Sequence, residues 1–289
     1  MSSETASVST PEELAAVRHL VDLGYQDPLR TAALETAAER TRQDQVRRAD
    51  ELLRGGQSAE AIDLLEQAAR NSPEWTAGRH WLARAYFRGG RLAETAALLD
   101  WLEVHGVEHA ELSLMRATIA LRRRRFDEAV DKAEYAKCLH AALPEADVIL
   151  GEVAFRRGDD AMADAAYCRA IEQNPRSAAA RIGLAAVALR AGAYEDALDW
   201  ALQAIEDGPA KWQAHCHLGR ALLQLGRLAE ARFALERSAS MSPKPAAPYR
   251  WLIRIHEQAG DDAAARAARE RAREIIRTRR AAKKSPRVQ

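Results

Sequence analysis

Small and apolar residues recur along the chain with a period of 34 residues, without insertion, from about residue 42 to residue 279. This span holds seven units, and repetition on this scale indicates a repeat architecture. Small residues hold one place in the first half of successive units, at Ala49, Ala83, Ala117, Gly151, Ala185 and Gly219. Alanines hold one place in the second half, at Ala61, Ala129, Ala163, Ala197, Ala231 and Ala265. We expect two helices to pack closely at these places, because Ala and Gly permit short interhelical distances.

Turn residues separate the two halves of the units and close them. Glycines stand between the halves at Gly56, Gly90, Gly158, Gly192, Gly226 and Gly260. A glycine directly after a helix adopts the left-handed conformation without a Cβ penalty, so these positions predict the end of a first helix. Prolines close four units at Pro73, Pro175, Pro209 and Pro243, because the residue before a proline avoids helical dihedrals. Each unit is therefore predicted to be a helical hairpin that buries its apolar face by stacking on its neighbours.

This repeat pattern resembles that of the tetratricopeptide repeat family. In the unit 178–211 the characteristic positions of the family are matched by Leu184, Ala185, Tyr194, Ala197, Ala204 and Pro209. The resemblance implies an all-α fold, a right-handed α-solenoid of stacked helix-turn-helix hairpins with capping helices at both ends. Two units depart from the pattern, and we expect local irregularity there. The departures are Thr95, Leu102 and Val107 in the second unit, and Arg124 at the turn-glycine place of the third.

The repeats divide the chain into four segments. Residues 1–11 are expected to be disordered, and residues 12–41 to form N-terminal capping helices, the first of which ends at Gly24. The seven units follow at residues 42–75, 76–109, 110–143, 144–177, 178–211, 212–245 and 246–279. Residues 280–289 form a basic C-terminal tail.

Composition limits the cellular setting. The 43 Lys and Arg residues nearly balance 42 Asp and Glu residues, so no global field attracts nucleic acid or a membrane. The first residues lack the layout of a signal peptide, and no apolar run is long enough to cross a bilayer. Cys138, Cys168 and Cys216 are odd in number and in no CxxC spacing, which favours reduced thiols. We expect a cytoplasmic protein without a membrane span.

The sequence shows no catalytic machinery. It contains no phosphate-binding glycine loop, and no nucleophile and base at a recognisable spacing. His215, Cys216 and His217 form the densest group of metal-binding residue types, but adjacent residues on a helix point in different directions. We therefore expect a protein that is not an enzyme and that has no metal and no cofactor.

One feature exceeds what packing requires. The same place near the end of the first helix holds arginine in five consecutive units, at Arg54, Arg88, Arg122, Arg156 and Arg190, which we call the arginine column. In the tetratricopeptide family this helix lines the concave groove, so the resemblance implies a row of guanidinium groups along a binding surface. Further arginines stand one turn earlier on the same helix face, at Arg84, Arg220 and Arg254. Phe87 and Phe155 add apolar surface beside the column.

Helix capping is the alternative explanation of the column. A basic residue in the last turn of a helix gains about 0.3–1 kcal/mol from the helix dipole without any ligand. Asp50 and Glu152 stand four residues before Arg54 and Arg156, so pairs within the helix can satisfy those two. The remaining three have no acidic residue at that spacing and are the better candidates for binding: Arg88, Arg122 and Arg190.

The lining residues predict the chemistry of the partner. Family members that hold a peptide backbone or a terminal carboxylate use lining asparagines, whereas this chain contains only Asn71 and Asn174. An arginine-lined groove instead suits an extended acidic segment with hydrophobic residues. The basic C-terminal tail has no interleaved aromatic residues, which disfavours nucleic acid as a partner.

These features favour a non-enzymatic scaffold or adaptor that binds an acidic segment of another protein. A second hypothesis rests on residues 15–28, AAVRHLVDLGYQDP, which resemble the Leu-Gly-Tyr linker after the catalytic domain of some alkaline-phosphatase-like phosphodiesterases and sulfatases. That resemblance implies an accessory, non-catalytic tetratricopeptide tail. A third hypothesis is self-association, in which the concave face binds the N-terminal segment or a second copy of the chain.

Overall fold

The structure of the protein is a computed structural model that describes residues 28–207, 211–242 and 245–284. The expected disordered start, the helix predicted up to Gly24 and nearly all of the linker-like stretch lie outside these residues. Within the described residues the chain forms fourteen α-helices and no strand, which confirms the all-α prediction. It divides into two compact parts, Met1–Glu108 and His109–Gln289, called here the N-terminal body and the C-terminal body.

The described part of the N-terminal body consists of two helical hairpins. Its helices are α1 (Pro28–Arg54), α2 (Ser58–Asn71), α3 (Thr76–Arg88) and α4 (Leu92–Val104). Helix α1 packs on α2 and α3 packs on α4, while α3 also contacts both helices of the first hairpin. Leu53, Leu65 and Leu82 are buried where these helices meet. Helix α1 begins at Pro28 and runs without interruption through the boundary at residue 42 into the first repeat.

The described part of the C-terminal body consists of five hairpins. The first helices are α5 (Ala110–Arg122), α7 (Pro144–Arg157), α9 (Ala178–Ala191), α11 (Trp212–Gln224) and α13 (Ala247–Gln258). The second helices are α6 (Phe126–Leu139), α8 (Asp160–Gln173), α10 (Tyr194–Glu206), α12 (Leu228–Met241) and α14 (Asp262–Lys284). Each first helix packs on the second helix of its own hairpin and on the first helix of the next hairpin. The first helices of this body therefore form a continuous layer.

The predicted small positions are buried where the helices pack. Ala49, Ala83, Ala117 and Ala185 have no solvent exposure, and Gly151 and Gly219 are buried. All six alanines of the second half are also fully buried: Ala61, Ala129, Ala163, Ala197, Ala231 and Ala265. A Cβ atom on Gly219 would lie 2.6 Å from Cγ of Leu235, so this position excludes even alanine without a shift of its neighbour. The packing role predicted from the period is confirmed.

Tyr167 shows how tightly the hairpins of the C-terminal body interlock. Its ring is 1% exposed and lies against Gly151 of α7 and Gly183 of α9. A Cβ atom would lie 2.7 Å from the ring at Gly151 and 2.3 Å from it at Gly183. The tyrosine hydroxyl donates to Glu152 Oε2 at 3.3 Å, which satisfies its polar end. Two glycines of neighbouring first helices thus make room for one aromatic ring.

The turns between paired helices follow the prediction, including its exceptions. The predicted turn glycines all have positive φ: Gly56, Gly90, Gly158, Gly192, Gly226 and Gly260. Arg124, which takes the place of glycine in the third unit, adopts the same left-handed conformation with φ of 62°. In the second unit Thr95 and Leu102 are fully buried, and α4 ends at Val104, two residues before the left-handed Gly106. The two bodies separate just after this irregular end, at Glu108.

A buried carboxylate links three helices of the C-terminal body. Asp147 of α7 has no exposure, and its Oδ1 accepts from Lys137 Nζ at 2.9 Å and Arg169 Nε at 3.2 Å. Its Oδ2 accepts from Gln173 Nε2 at 2.8 Å. A buried carboxylate needs such partners because leaving water without them is costly. This network joins α6, α7 and α8 and does not depend on a ligand.

Candidate partner-binding face

The two column residues at the ends of α1 and α3 are engaged within the N-terminal body. Arg54 pairs with Asp50 one turn earlier, as the spacing predicted. Arg88 Nη1 donates to the main-chain carbonyl oxygen of Leu53 at 3.1 Å. That carbonyl belongs to the last turn of α1, where carbonyl oxygens have no N–H donor within the helix, and it also accepts from the main-chain N–H of Gly56 at 3.2 Å. Arg88 therefore caps the first helix of the preceding hairpin.

Arg190 has the same role in the C-terminal body. Its Nη1 donates to the carbonyl oxygen of Phe155 at 3.0 Å, and its Nη2 pairs with Asp160. Its guanidinium also lies 3.6 Å from the centroid of the Phe155 ring. Arg88 and Arg190 each reach 35 residues back along the chain, so they have partners that spacing within one helix does not reveal.

The other column residues and their neighbours differ in their contacts and in their solvent exposure. Arg156 Nε donates to Glu152 Oε1 at 2.6 Å, which confirms the predicted pair within the helix. Arg122 is exposed at the end of α5. In the N-terminal body the guanidinium of Arg84 lies 4.1 Å from the Trp81 ring, and Phe87 is half-buried. Most residues of the arginine column thus cap a helix or form an intramolecular ion pair.

A different group of arginines lies on α11 and α13. Arg220, which is half-buried, has its guanidinium 4.9 Å from the ring of Trp251. Arg250 lies 5.9 Å from the same ring, and Arg254 follows it one turn later with its side chain exposed. We call Arg220, Arg250, Arg254 and Trp251 the α11–α13 cluster. It places three guanidinium groups on two adjacent first helices.

No acidic side chain among the described residues forms an ion pair with this cluster. Helices α9, α11 and α13 contain one acidic residue among them, Glu257, and its carboxylate is bound to Arg269 of α14. Arg181 and Arg190 of α9, by contrast, have carboxylate partners in Asp207, directly after α10, and Asp160 of α8. The three arginines of α11 and α13 therefore have no carboxylate partner among the described residues.

Arg220 is the most confined of the three cations. Its Nε atom is buried without a hydrogen-bond partner among the described residues, and its Nη1 lies 3.4 Å from His217 Nδ1. Burial lowers the pKa of Arg220 below its usual range, and the positive charge of Arg250 acts in the same direction. A guanidinium nevertheless stays protonated in proteins, so the group is a charge held partly out of water, and no described residue supplies a counterion.

The neighbouring His215, Cys216 and His217 are shaped by burial. Burial raises the pKa of Cys216 to about 11, so its thiol is protonated at neutral pH. Burial, and then the charge of Arg220, lowers the pKa of His217 to about 4, so its imidazole is neutral. Burial also lowers the pKa of His215, with the charge of Arg237 adding to the effect. Arg220 donates only, so the neutral His217 ring accepts at Nδ1 and helps to orient the guanidinium.

Sequence reasoning found part of this cluster. Arg220 and Arg254 were among the predicted site residues, whereas Arg250 and Trp251 were not. The scarcity of acidic residues in the helices 178–191, 212–224 and 247–258 is a sequence signal that includes α11 and α13, but helix 76–88 shares it. The leucines that directly precede the last residue of α5, α9 and α11 or stand one residue further back are buried, namely Leu121, Leu189 and Leu223.

Several solved structures resemble the chain in fold. A tetratricopeptide repeat protein from Parabacteroides merdae matches with a TM-score of 0.59 and 17% identity, over 81% of this chain and 92% of that chain. The APC/C hetero-tetramer Cut9-Hcn1 matches with a TM-score of 0.65 and 16% identity, over 73% of this chain and 42% of that chain. PilW, a type IV pilus biogenesis factor, matches with a TM-score of 0.56 and 18% identity, over 68% of this chain and 90% of that chain. These likenesses concern the fold alone.

Comparison by sequence gives the family. A search of the curated proteins found no match. The family model for the tetratricopeptide repeat matches residues 46–104, 82–146, 150–211, 201–248 and 216–282, which together span most of the chain. These matches cover all seven predicted repeat units, in whole or in part. The chain therefore belongs to the tetratricopeptide repeat family.

Proposed function

We propose that this chain is a non-enzymatic scaffold that binds an extended acidic segment of another protein on the first-helix face of its C-terminal body. Tetratricopeptide repeat proteins are typically protein-protein interaction scaffolds, which supports the general role. The acidic partner is supported by one observation above all. The α11–α13 cluster presents three guanidinium groups on helices whose one acidic residue is already paired.

The charge arrangement favours this face over the arginine column. Arg88 and Arg190 form bonds that stabilise neighbouring hairpins, so a ligand would have to compete with them. Arg250 and Arg254 are exposed and give up no ion pair when a carboxylate approaches. Charge-assisted hydrogen bonds between guanidinium and carboxylate are the strong class, because the planar fork of arginine matches two oxygens. An acidic segment is therefore the partner that this surface fits best.

The setting proposed for this interaction is the cytoplasm. All three cysteines are free thiols, and Cys138 is exposed, which suits a reducing compartment. None of the described helices combines the length and the apolar character needed to cross a membrane.

Fluorescence anisotropy with labelled acidic, neutral and basic peptide pools tests the proposal. We expect the acidic pool to bind and to be released as the salt concentration rises from about 0.05 M to 0.5 M, because screening weakens exposed charge pairs. The double variant Arg250→Ala/Arg254→Ala removes two exposed charges and is expected to lose most of this binding. Arg266→Ala/Arg273→Ala is the matched control, since it removes two exposed charges from α14.

Two results would contradict the proposal. The first is equal binding of the three pools, which would remove the preference for acidic chains. The second is equal loss of binding in both double variants, which would mean that net charge attracts the peptides without a site. Light scattering over a range of protein concentrations separates self-association from peptide binding, because only self-association raises the mass without added peptide.

A further inference from the structure

We infer that Arg220 is the anchor of the acidic segment, and that it receives the carboxylate of an internal Asp or Glu side chain beside Trp251. This inference rests on the proposed function. It adds which arginine contributes most to binding and how the acidic residues of the partner are spaced. It follows from the surroundings of Arg220, from the groups that hold it, and from the geometry of Arg250 and Arg254.

The surroundings of Arg220 make a carboxylate more effective there than at an exposed arginine. Arg220 is half-buried, with its Nε enclosed and unpaired, and the charge of Arg250 is close enough to disfavour its protonated form. Electrostatic attraction is stronger where water is partly excluded, so an arriving negative charge gains more at Arg220 than at Arg254. The carboxylate also offsets the repulsion between Arg220 and Arg250.

Two aromatic groups hold the guanidinium in place before the partner arrives. Trp251 lies 4.9 Å from it, and the His217 imidazole accepts weakly at 3.4 Å. Because His217 is neutral at physiological pH, it orients Arg220 without adding a competing positive charge. A guanidinium that is already ordered loses less conformational entropy on binding than a free surface side chain. Trp251 and His217 are thus positioning residues.

The geometry of α13 sets the spacing of the acidic residues. Arg250 and Arg254 are one helical turn apart, which places their Cβ atoms about 5–6 Å from each other. In an extended segment, side chains two residues apart lie on the same side and about 6.6–6.8 Å from each other. Two carboxylates at positions i and i+2 therefore match Arg250 and Arg254, with a further acidic side chain at Arg220. The partner class is an internal, extended segment with acidic residues at alternate positions.

The experiment uses the full chain and a peptide that carries three glutamates at alternate positions in a neutral background. In the control peptide the three glutamates are contiguous. Both peptides are acetylated at the N-terminus and amidated at the C-terminus. We expect Arg220→Gln to weaken binding of the alternate-spacing peptide by at least about tenfold, and Arg220→Lys nearly as much, because lysine lacks the planar fork. Arg266→Gln, the matched control on α14, should change binding by less than about twofold. The contiguous peptide should bind the wild-type chain more weakly than the alternate one.

A stability measurement distinguishes an anchor from a structural residue. Without peptide, Arg220→Met should melt at the same temperature as the wild-type chain or higher, because it removes a confined charge that has no counterion and keeps the packing against Trp251. A clear fall in melting temperature would show that Arg220 serves the fold, and would overturn the inference.

The remaining outcomes separate this inference from the proposed function. If acidic peptides bind the wild-type chain and Arg220→Gln equally well, Arg220 is not the anchor, although the scaffold proposal stands. If no acidic peptide binds the wild-type chain, both the proposed function and this inference are wrong. If a few millimolar inorganic phosphate displaces the peptide from the wild-type chain, the site accepts any oxyanion and the assignment to a side-chain carboxylate is wrong.

Discussion

Replacing Gly183 with alanine tests the packing between neighbouring hairpins of the C-terminal body. Gly183 lies in the interior of α9, where alanine is intrinsically more favourable than glycine by about 0.8–1.0 kcal/mol. Helix propensity alone therefore predicts that Gly183→Ala stabilises the protein. The structure predicts the opposite, because the new Cβ atom would lie 2.3 Å from Cζ of Tyr167.

The magnitude follows from the confinement of the Tyr167 ring. The ring is 1% exposed, and it also lies close to Gly151, where an added Cβ atom would be 2.7 Å from the ring. Overpacking a tight core costs about 1–3 kcal/mol, and a contact this short belongs in the upper half of that range. After the gain in helix propensity is subtracted, we expect a net destabilisation of about 1–2 kcal/mol. Urea unfolding followed by far-UV circular dichroism measures this difference.

A second background makes the reasoning refutable. Tyr167→Leu removes the ring atoms that clash, because leucine ends at Cδ. In that background Gly183→Ala should stabilise the protein by about 0.5–1 kcal/mol, so the effect of one substitution changes sign. If the substitution has the same sign in both backgrounds, or stabilises the chain that contains Tyr167, the steric argument is wrong.

Three further predictions concern single residues. Asp147→Asn should destabilise the chain by about 2–3 kcal/mol in urea unfolding, because it weakens the buried contacts to Lys137 and Arg169. The control Asp131→Asn, at an exposed position, should have almost no effect. Because burial holds the pKa of His217 near 4, the unfolded chain binds a proton between about pH 6.5 and pH 4 that the folded chain does not. Stability should therefore fall by about 3 kcal/mol as the pH is lowered through this window, and His217→Gln should remove that part of the slope in thermal melts at stepped pH. Arg124→Gly should raise the stability by about 0.5–1 kcal/mol, since φ is 62° there, and an unchanged or lower melting temperature would contradict this.

Local rules were sufficient to predict the hairpins. The places of Gly158 and Gly192 follow from the left-handed conformation that ends a helix, and both have that conformation. Asp50 and Glu152 pair with Arg54 and Arg156 because residues four apart on a helix are neighbours. The sequence also predicted an irregularity at Arg124. It did not predict that this arginine adopts the backbone dihedrals of the glycine that it replaces.

The candidate site shows where such rules fail. Arg88 and Arg190 lack an acidic residue at helical spacing and so qualified as binding residues, whereas their actual acceptors are carbonyl oxygens of the preceding hairpin. Arg250 was not selected because it stands neither at the place of the column nor one turn earlier, where Arg254 stands. Its importance depends on Arg220 and Trp251, which come from a neighbouring helix and from its own helix, and on the scarcity of acids around them.

By itself the sequence determined the all-α hairpins, their turns and their close-packed positions, because a period of 34 residues repeats the same short-range constraints in every unit. Only the tertiary structure decided which arginines are used by the fold and which have no counterion within the described part of the chain. Helix capping and dihedral preferences act within a few residues of the chain. The neutralisation of a charge instead depends on every group within a few ångströms, and for Arg190 and Arg220 these groups come from different hairpins.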